Sequence, residues 1–417
     1  MKFLILKNNI SIIGGYAFKS KDFSDKGYPV IKIKNIQNKR VTITGDTQHI
    51  PFELATEKLN KFRLESDDIL IAMTGQGSVG RVGRLYIGKN EVAPYLNQRV
   101  GKLLPNSQYL NKDYLYYLLS SSEYEKHLFS LGTGSGQPNL SPTVIKSIKI
   151  PLPDTLTQQK IAATLRALDD KIANNKAMNQ TLEKLAQRIF KSWFIDFDPV
   201  KANKEGLPFD GLSPEIQALF PSEFEDSELG MIPKGWEVGK ISTVSKVSSG
   251  KRPPQKVDAQ DSLNNIPVWG GNGIKWYTNS TLTDKPFIIT GRVGTLGTVY
   301  KVFDKVWVSD NALMLSPEKE LFDYLFHALK GFDLHSLNSG STQPLITQTA
   351  VKNIPLILPS EDILIKFQSI MDSLNEKRIH NEKSSECLCR LRDRLLPKLI
   401  SGQISVGEVA QELAEAV

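Results

Sequence analysis

A segment of twenty residues occurs twice in this chain, with the same length and no gap. Residues 134–153 read GSGQPNLSPTVIKSIKIPLP, and residues 340–359 read GSTQPLITQTAVKNIPLILP. The two copies lie 206 residues apart, which is far longer than the unit of a solenoid or a propeller. The repeat therefore indicates duplication of a whole domain with its connecting segment. Two related domains in one chain predict a pseudo-twofold molecule, which suits a ligand with two halves.

Length and composition agree with such a molecule. A chain of 417 residues allows about two to three domains, each large enough to bury a core. No apolar run is long enough to span a bilayer, and the N-terminus lacks a signal pattern, so we expect a cytoplasmic protein. The cysteines Cys387 and Cys389 suit neither a disulfide framework nor a four-ligand zinc site, and we expect no metal.

Charge is distributed unevenly along the chain. Residues 195–230 contain nine acids and two lysines, a balance of −7, whereas the whole chain carries +7. The remainder, which contains both copies, therefore carries +14. Such an excess is expected of a surface that binds phosphates. The alternative is a basic surface that serves solubility alone.

Each copy combines short strands with few helices. The segments GSVGRVGRLY from Gly77 and GRVGTLGTVY from Gly291 each predict a strand, a tight turn and a strand. Gln76 and Gly77 are a small insertion in the first copy. Helical stretches are expected at residues 113–128 and 321–329, before the repeated segment. This pattern predicts an α+β fold in both domains.

After each repeated segment the apolar spacing changes to steps of four and three, which predicts coiled-coil helices. The first seam contains Ile161, Leu165, Leu168, Ile172, Asn175, Asn179, Leu182, Ala186, Ile189 and Trp193. The second contains Phe367, Met371, Leu374, Arg378, Asn381, Ser385, Leu388, Arg392, Leu395 and Leu399. The alternative is two amphipathic helices that each pack on their own domain.

Polar residues lie at the middle of both seams. If the two helices pair antiparallel, their centres meet and Asn175 lies close to Asn381. Buried seam asparagines commonly determine register at a cost in stability. We therefore predict that Asn175 and Asn381 lie within hydrogen-bonding distance of each other.

Sequence patterns of catalytic sites are missing. The chain has no GxxxxGK[ST] loop and no Asn-Pro-Pro-aromatic tetrapeptide. The glycines of GGNG at residues 270–273 lack the context of a dinucleotide fingerprint and are interpreted as a turn. The acidic residues of SEDILIK, from Ser360, are interpreted as a helix cap. We therefore expect a protein that binds and does not catalyse.

Three long segments resemble the specificity subunit of type I restriction-modification systems. They are IFKSWFIDFDPVKAN from Ile189, LFPSEFEDSELGMIPKGWEV from Leu219 and RLLPKLISGQI from Arg394. The resemblance covers essentially the entire chain. One departure is that the first copy lacks the ELGMIPKGW lead-in of the second, which leaves the first strand of domain one uncertain.

The resemblance implies two target-recognition domains separated by a long antiparallel two-helix coiled coil. Each domain would read one half of a bipartite site in double-stranded DNA, with the helices setting the spacer and docking two methyltransferase subunits. Those partners would carry S-adenosylmethionine, and restriction subunits would use ATP and Mg, so this chain needs no cofactor of its own. Half-sites centred about 10 bp apart would present the same face of the duplex.

The resulting domain boundaries follow the chain. We expect target-recognition domain 1 at 1–157, the first spacer helix at 158–194, an acidic connector at 195–235, target-recognition domain 2 at 236–361, the second spacer helix at 362–401 and a C-terminal tail at 402–417.

Basic and amide side chains near glycine-rich turns are the candidate DNA contacts, because glycine allows close approach and these groups bind phosphates and base edges. In the first domain they are Lys32, Lys34, Gln76, Ser78, Arg81, Arg84 and Gln137. In the second they are Lys251, Arg252, Asn272, Lys275, Arg292, Thr295 and Gln343. In this alignment Arg292 replaces Ser78 and Thr295 replaces Arg81. Gln137 and Gln343 recur in both copies and could equally hold the loop together.

Two other classes of function remain open. A structural or adaptor protein would use its duplicated domains to bind protein, with the basic excess incidental. A fused nuclease or methyltransferase is disfavoured by the missing motifs.

Overall fold

The computed structural model describes residues 2–88, 91–133, 138–294, 296–340 and 342–409. The chain forms two compact units. The first contains the chain up to Asn175 and again from Glu382, and the second is Lys176–Asn381. Each unit thus contains one domain and a part of each of two long helices.

The first domain is built from short strands and three short helices. The strands are β1 (Phe3–Ile5), β2 (Ile10–Gly14), β3 (Tyr28–Ile31), β4 (Ile36–Gln37), β5 (Arg40–Val41), β6 (His49–Ile50), β7 (Ile69–Ala72), β8 (Val82–Leu85), β9 (Tyr95–Leu96), β10 (Val100–Pro105) and β11 (Lys149–Pro151). The helices are α1 (Lys112–Leu119), α2 (Ser122–Ser130) and α3 (Pro142–Lys146). Short 3-10 helices span Leu6–Asn8, Ser20–Asp22, Ile33–Asn35, Phe52–Leu54 and Glu57–Phe62.

The central sheet of this domain has the strand order β2-β10-β7-β8-β5-β4. Its strand β7, with the sequence ILIA, is buried along its whole length, which explains the uninterrupted apolar run. Each of the three helices has a polar residue at its N-cap whose side chain accepts a backbone N–H. A second, three-stranded sheet has the order β6-β3-β9.

The long helix α4 (Thr155–Phe194) follows the first domain. It begins at Thr155 rather than at residue 158, because Asp154 accepts the backbone N–H of Thr157 and caps the first turn. The connector after α4 contains α5 (Asp198–Glu205), α6 (Pro214–Gln217) and the hairpin β12 (Phe224–Ser227) with β13 (Gly230–Pro233).

The second domain repeats this design. Its strands are β14 (Glu237–Lys240), β15 (Ser245–Ser249), β16 (Ile266–Gly270), β17 (Gly273–Thr278), β18 (Phe287–Gly291), β19 (Val299–Val302), β20 (Trp307–Val308), β21 (Ala312–Pro317) and β22 (Pro355–Leu358). Its helices are α7 (Ile241–Val244), α8 (Phe322–Gly331) and α9 (Gln348–Lys352), followed by the long helix α10 (Glu361–Ser401). Two 3-10 helices span Lys319–Leu321 and Leu334–Leu337.

The two domains share strand order. The sheet β15-β21-β18-β19 of the second corresponds to β2-β10-β7-β8 of the first. The uncertain first strand is present, since β1 pairs with β11 as β14 pairs with β22. The residue after each opening strand also makes the same bond: Leu6 N–H to Ile148 O at 3.0 Å, and Ile241 N–H to Ile354 O at 3.1 Å. The predicted α+β fold with two similar domains is confirmed.

Within each unit the two long helices run antiparallel. In the first unit, Asp169 of α4 contacts Arg392 of α10 at 2.6 Å, whereas Asn175, further along α4, contacts Ser385, earlier on α10. In the second unit Asn179 contacts Asn381, whereas Phe194, further along α4, has its ring centroid 4.9 Å from that of Phe367, earlier on α10. All ten seam positions of each helix are buried or half-buried, which confirms the predicted heptad pattern.

Candidate nucleic-acid interface

In each domain the loops between the central strands meet at one edge of the sheet. In the first, β2 and β7 end where β10 and β8 begin, and in the second β15 and β18 end where β21 and β19 begin. We call these loops the loop edge. In the first domain the loop edge comprises residues 15–19, 73–81 and 97–99, and in the second it comprises residues 250–254, 292–294 and 309–311. Because loops on a rigid sheet commonly carry binding residues, the loop edge is the candidate interface.

A glycine begins the loop edge in both domains because two backbone segments nearly touch there. A Cβ on Gly15 would lie 2.2 Å from the carbonyl oxygen of Asn97, and one on Gly250 would lie 2.2 Å from that of Ser309. The next residue in each case donates its N–H back to the sheet at 2.8 Å: Tyr16 to Leu96 O and Lys251 to Val308 O. Tyr16 and Lys251 are therefore equivalent positions at which the chain leaves the sheet.

Backbone bonds across the loop edge correct the alignment of the two glycine-rich hairpins. Gly75 N–H donates to Pro138 O, and Gly294 N–H donates to Pro344 O, so these two glycines are equivalent. Arg292 then corresponds to Met73, and the prediction that Arg292 replaces Ser78 and Thr295 replaces Arg81 is wrong. The predicted insertion in the first copy is confirmed, because three residues separate Gly75 from Val79 where one separates Gly294 from Leu296.

The first hairpin loop carries three of the predicted contacts. Gln76 is exposed and Ser78 is half-buried. Arg81 is half-buried, with its Nε 4.0 Å from a carboxylate oxygen of Glu125 on α2, a separation at which water competes well for both charges. Their contact with DNA stays a prediction, and Gln137 lies outside the described residues.

Lys32 and Lys34 lie next to this loop, after β3. A Cβ on Gly75 would come within 2.9 Å of the side chain of Ile33, which shows how closely the two segments pack. Lys32 bonds Gln48 and lies 3.9 Å above the ring of Phe23. Partial burial and the neighbouring Lys34 lower the pKa of Lys32. Lys34 is exposed and pairs with Asp46 at 2.7 Å.

The structure contradicts the prediction that Arg84 contacts DNA. Its side chain is completely buried, with Nη2 2.8 Å from Asp113 Oδ1 and the guanidinium carbon 4.0 Å above the ring of Tyr116. The approach to Asp113 is that of a charge pair and lacks hydrogen-bond angles. Arg84 points from β8 toward α1 because successive strand residues alternate between faces, and this one faces the core.

In the second domain, four predicted residues lie on two exposed segments. Lys251 and Arg252 directly follow Gly250. Asn272 and Lys275 belong to the hairpin of β16 and β17, where the predicted turn at GGNG is confirmed. Tyr300 donates its hydroxyl to Asn272 Oδ1 at 3.4 Å, and Thr298 donates to Gly271 O. The hairpin tip is thus bound to the start of β19.

Arg292 precedes Gly294 by two residues, and Gln343 lies near Gly294. Arg292 Nη1 donates to Ser249 Oγ at 3.3 Å, and the same oxygen accepts from Gln348 Nε2 at 2.7 Å. Gln343 is exposed, with its amide nitrogen 3.8 Å from the place a Cβ on Gly294 would occupy. Thr295, between them in sequence, lies outside the described residues.

Exposed residues at the loop edge of the first domain were missed from the sequence. Tyr16 is 41% exposed and its ring centroid is 5.5 Å from that of Phe62. Gln98 and Arg99 are exposed on the loop before β10, and Met73 N–H donates to Arg99 O. The signal that could have found Tyr16 is its position after a glycine pair, matching Lys251 after Gly250.

The seam asparagines are both buried and bonded. Asn175 donates to the hydroxyls of Ser384 and Ser385 at 3.3 Å. Asn381 donates to Asn179 Oδ1 at 2.8 Å. Each bond crosses from one long helix to the other within a unit. The direct contact of Asn175 with Asn381 stays a prediction.

Among the described residues, no group of three or more His, Cys, Asp or Glu side chains could hold a metal ion. Within these same residues no helix has the length and apolar character needed to cross a membrane.

Comparison with known proteins agrees with this geometry. The family profile described as "Type I restriction modification DNA specificity domain" matches residues 6–184 and 233–386, one match for each domain and more than half of the long helix that follows it. The MjaIX specificity subunit of Methanocaldococcus jannaschii is 30% identical over 370 residues, covering 81% of this chain and 78% of that protein. The HindI specificity subunit of Haemophilus influenzae is 27% identical over 413 residues, covering 82% and 88%.

A solved structure has the same fold. The S subunit of a type I restriction-modification system from M. genitalium superposes with a TM-score of 0.58 at 18% identity, over 96% of both chains. The duplicated sheets, the paired long helices and the two profile matches lead to one conclusion: the chain belongs to the type I restriction-modification DNA specificity family.

Proposed function

We propose that each loop edge binds one half of a bipartite sequence in double-stranded DNA and that the chain does so without catalysing a reaction. The observation that carries this proposal is the equivalence of the two edges. Both begin at a glycine forced by close backbone approach, and both carry exposed cationic, amide or aromatic side chains beyond it. A pair of similar binding edges suits two half-sites.

The charges at the two edges support contact with phosphates and bases. Arg99 in the first domain and Lys251 and Arg252 in the second are exposed at the loop edges, and Lys275 is exposed on the hairpin of β16 and β17. Lysine and arginine at such positions neutralise phosphates, whereas arginine and amide groups also read base edges in the major groove. Because the two edges differ at equivalent positions, we infer that the two half-sites differ in sequence.

We further infer that the paired helices set the spacer between the half-sites and dock two methyltransferase subunits. S-adenosylmethionine would then lie on those subunits, and ATP and Mg on restriction subunits where these are present. With DNA as the ligand, the place of action is the cytoplasm.

Two experiments test the proposal. Methylome sequencing of cells that express the chain with its methyltransferase partner should reveal methylated adenines in one bipartite motif with a constant gap. The purified complex should bind a duplex with that motif, and affinity should fall steeply with salt as counterions are released. Equal affinity for unrelated duplexes would contradict sequence reading, and a complex without DNA affinity would favour the adaptor alternative.

A further inference from the structure

In the first unit one carboxylate joins the sheet to the long helix. Asp113, in the first turn of α1, lies 2.8 Å from Arg84 Nη2 on β8. The same side chain accepts a 3.0 Å hydrogen bond from Arg166 Nη1 on α4. Arg166 also donates to Asp67, two residues before β7, at 3.1 Å. The cations of the strand and of the long helix therefore share Asp113.

The second unit has a more deeply buried version of this connection. Asp323, in the first turn of α8, lies 2.7 Å from Lys301 Nζ on β19. It also accepts hydrogen bonds from Gln368 at 2.9 Å and from Asn375 at 3.0 Å, both on α10. Lys301 donates to Asn375 Oδ1 at 2.8 Å as well. The side chains of Asp323 and Lys301 are only 1% and 7% exposed.

The two connections occupy the same places in the fold. Arg84 pairs with Ile69 across the sheet, and Lys301 pairs with Ile288 at the matching position. Both aspartates are the second residue of their helix. The long-helix partners differ, being an arginine in one unit and a glutamine with an asparagine in the other. A strand, a short helix and a long helix are thus joined in both units by an aspartate, whose partners differ between the units.

The hydrogen bonds and ion pairs of Asp113 and Asp323 restrict how far each loop edge can tilt relative to the long helix of the same unit. Apolar packing is not directional and tolerates small rotations. A buried charge pair tolerates them poorly, because separating it leaves an uncompensated charge in the interior. Strands β8 and β19 follow the glycine-rich loops, so a tilt of either strand would move the loop edge relative to a duplex bound there.

We propose that Asp113 and Asp323 are positioning residues that hold each loop edge at one angle to its long helix, and that they thereby narrow the range of spacer lengths the protein accepts. This inference rests on the proposed reading of bipartite DNA. A shift of ~3.4 Å along the duplex corresponds to one base pair. Loss of either carboxylate therefore widens spacer tolerance without changing the bases that are read.

The test uses the complex with its methyltransferase partner and three duplexes. These carry the methylome-defined half-sites with the natural spacer, one base pair fewer and one more. The measured quantity is the methylation rate on each altered spacer divided by the rate on the natural spacer. For Asp323→Asn we expect this ratio to rise about tenfold, which corresponds to a loss of ~1.4 kcal/mol of discrimination between spacers. Asp113→Asn should give a smaller rise, because its carboxylate and Arg166 are 24% and 35% exposed. Asp323→Glu keeps the charge and should restore much of the wild-type ratio.

The matched control is Asp68→Asn. The side chain of Asp68, directly before β7 in the first domain, is 5% exposed and pairs with Lys102 of β10 at 2.7 Å, and both residues lie outside the long helices. This change should lower stability and all three rates together, leaving the ratio unaltered. An unchanged ratio in Asp323→Asn and Asp113→Asn, or an equal rise in Asp68→Asn, would overturn the inference. A wild-type complex indifferent to the half-sites or to their spacing would instead refute the proposed function.

Discussion

The two domains have the same sheet but different side chains at the loop edge. Where the first domain places Tyr16 the second places Lys251, and Arg99 corresponds to Asn311, since the carbonyls of these two accept equivalent backbone bonds. Behind the edge the backbone approach at Gly15 and Gly250 is the same. Positions that determine the path of the chain are thus shared, whereas exposed positions at the loop edge differ. This pattern is expected if two domains with the same backbone structure contact two different DNA sequences.

A second difference lies in the core. Tyr117 of α1 donates its hydroxyl to Asp169 of the long helix at 2.9 Å. The equivalent residue of α8 is His327, which is 3% exposed and has its ring stacked 5.4 Å from that of Phe190. The first unit therefore uses a hydrogen bond at a place where the second unit uses ring packing. At this position the second unit thus has a buried imidazole where the first has a phenol.

The largest effect is expected at the shared glycines. Gly15→Ala and Gly250→Ala each force a Cβ to within 2.2 Å of a carbonyl oxygen, so the backbone must move. We expect each change to lower the free energy of unfolding of its unit by about 3 kcal/mol. Thermal and urea unfolding measure the effect. Gly45→Ala and Gly331→Ala are the controls, because nothing lies within 4 Å of either new Cβ. A large loss of stability for only one of the two glycine variants would contradict the equivalence of the two loop edges.

A smaller effect is expected from pH. Burial and the nearby Lys301 lower the pKa of His327 from 6.5 to about 4. The neutral imidazole therefore contributes stability that is present above pH 6.5 and is lost as the pH falls toward 4. Between pH 7 and 5 this amounts to about 2 kcal/mol. His327→Phe should remove that part of the acid sensitivity in unfolding measurements, whereas Tyr117→Phe should leave it intact. Equal acid sensitivity in wild type and His327→Phe would contradict the assignment.

The smallest effect is expected on DNA binding, for variants of Tyr16 and Lys251, the residues that follow Gly15 and Gly250. Lys251→Ala should weaken DNA binding and reduce the slope of log affinity against log salt by about 0.9, as one phosphate contact is lost. Tyr16→Ala should weaken binding to a comparable extent with no change in slope, because a neutral ring releases no counterion. Binding titrations at several salt concentrations measure both. An identical slope change in the two variants would show that the edges use the same chemistry.

Much of the fold could be predicted because it depends on local pattern. The heptads of the two seams require only that apolar residues recur every three or four positions, and all those positions are buried or half-buried. The hairpin at GGNG and the extra residues after Gly75 are visible as glycine punctuation. The family was identified from long, distinctive segments such as that beginning at Ile189, and the profile match agrees.

The errors occurred where local pattern is ambiguous. The motif Gly-x-Val-Gly is compatible with more than one placement of a two-residue insertion, so sequence matched Ser78 with Arg292. Backbone bonds of Gly75 and Gly294 decide the register, and these involve loops about 50 to 60 residues away in the chain. Arg84 looked like a contact because it follows glycines, yet strand alternation directs it inward to Asp113.

The sequence by itself determined the duplication, the α+β character of each copy and the long heptad helices, because repetition and periodicity are properties of the chain alone. The tertiary structure decided which residues face outward at the loop edge and which are buried in ion pairs. Arg81 in the loop and Arg84 in β8 are three positions apart, and the packing of α1 against the inward face of β8 buries the second while the first stays half-exposed. Exposure and pairing depend on segments distant in sequence.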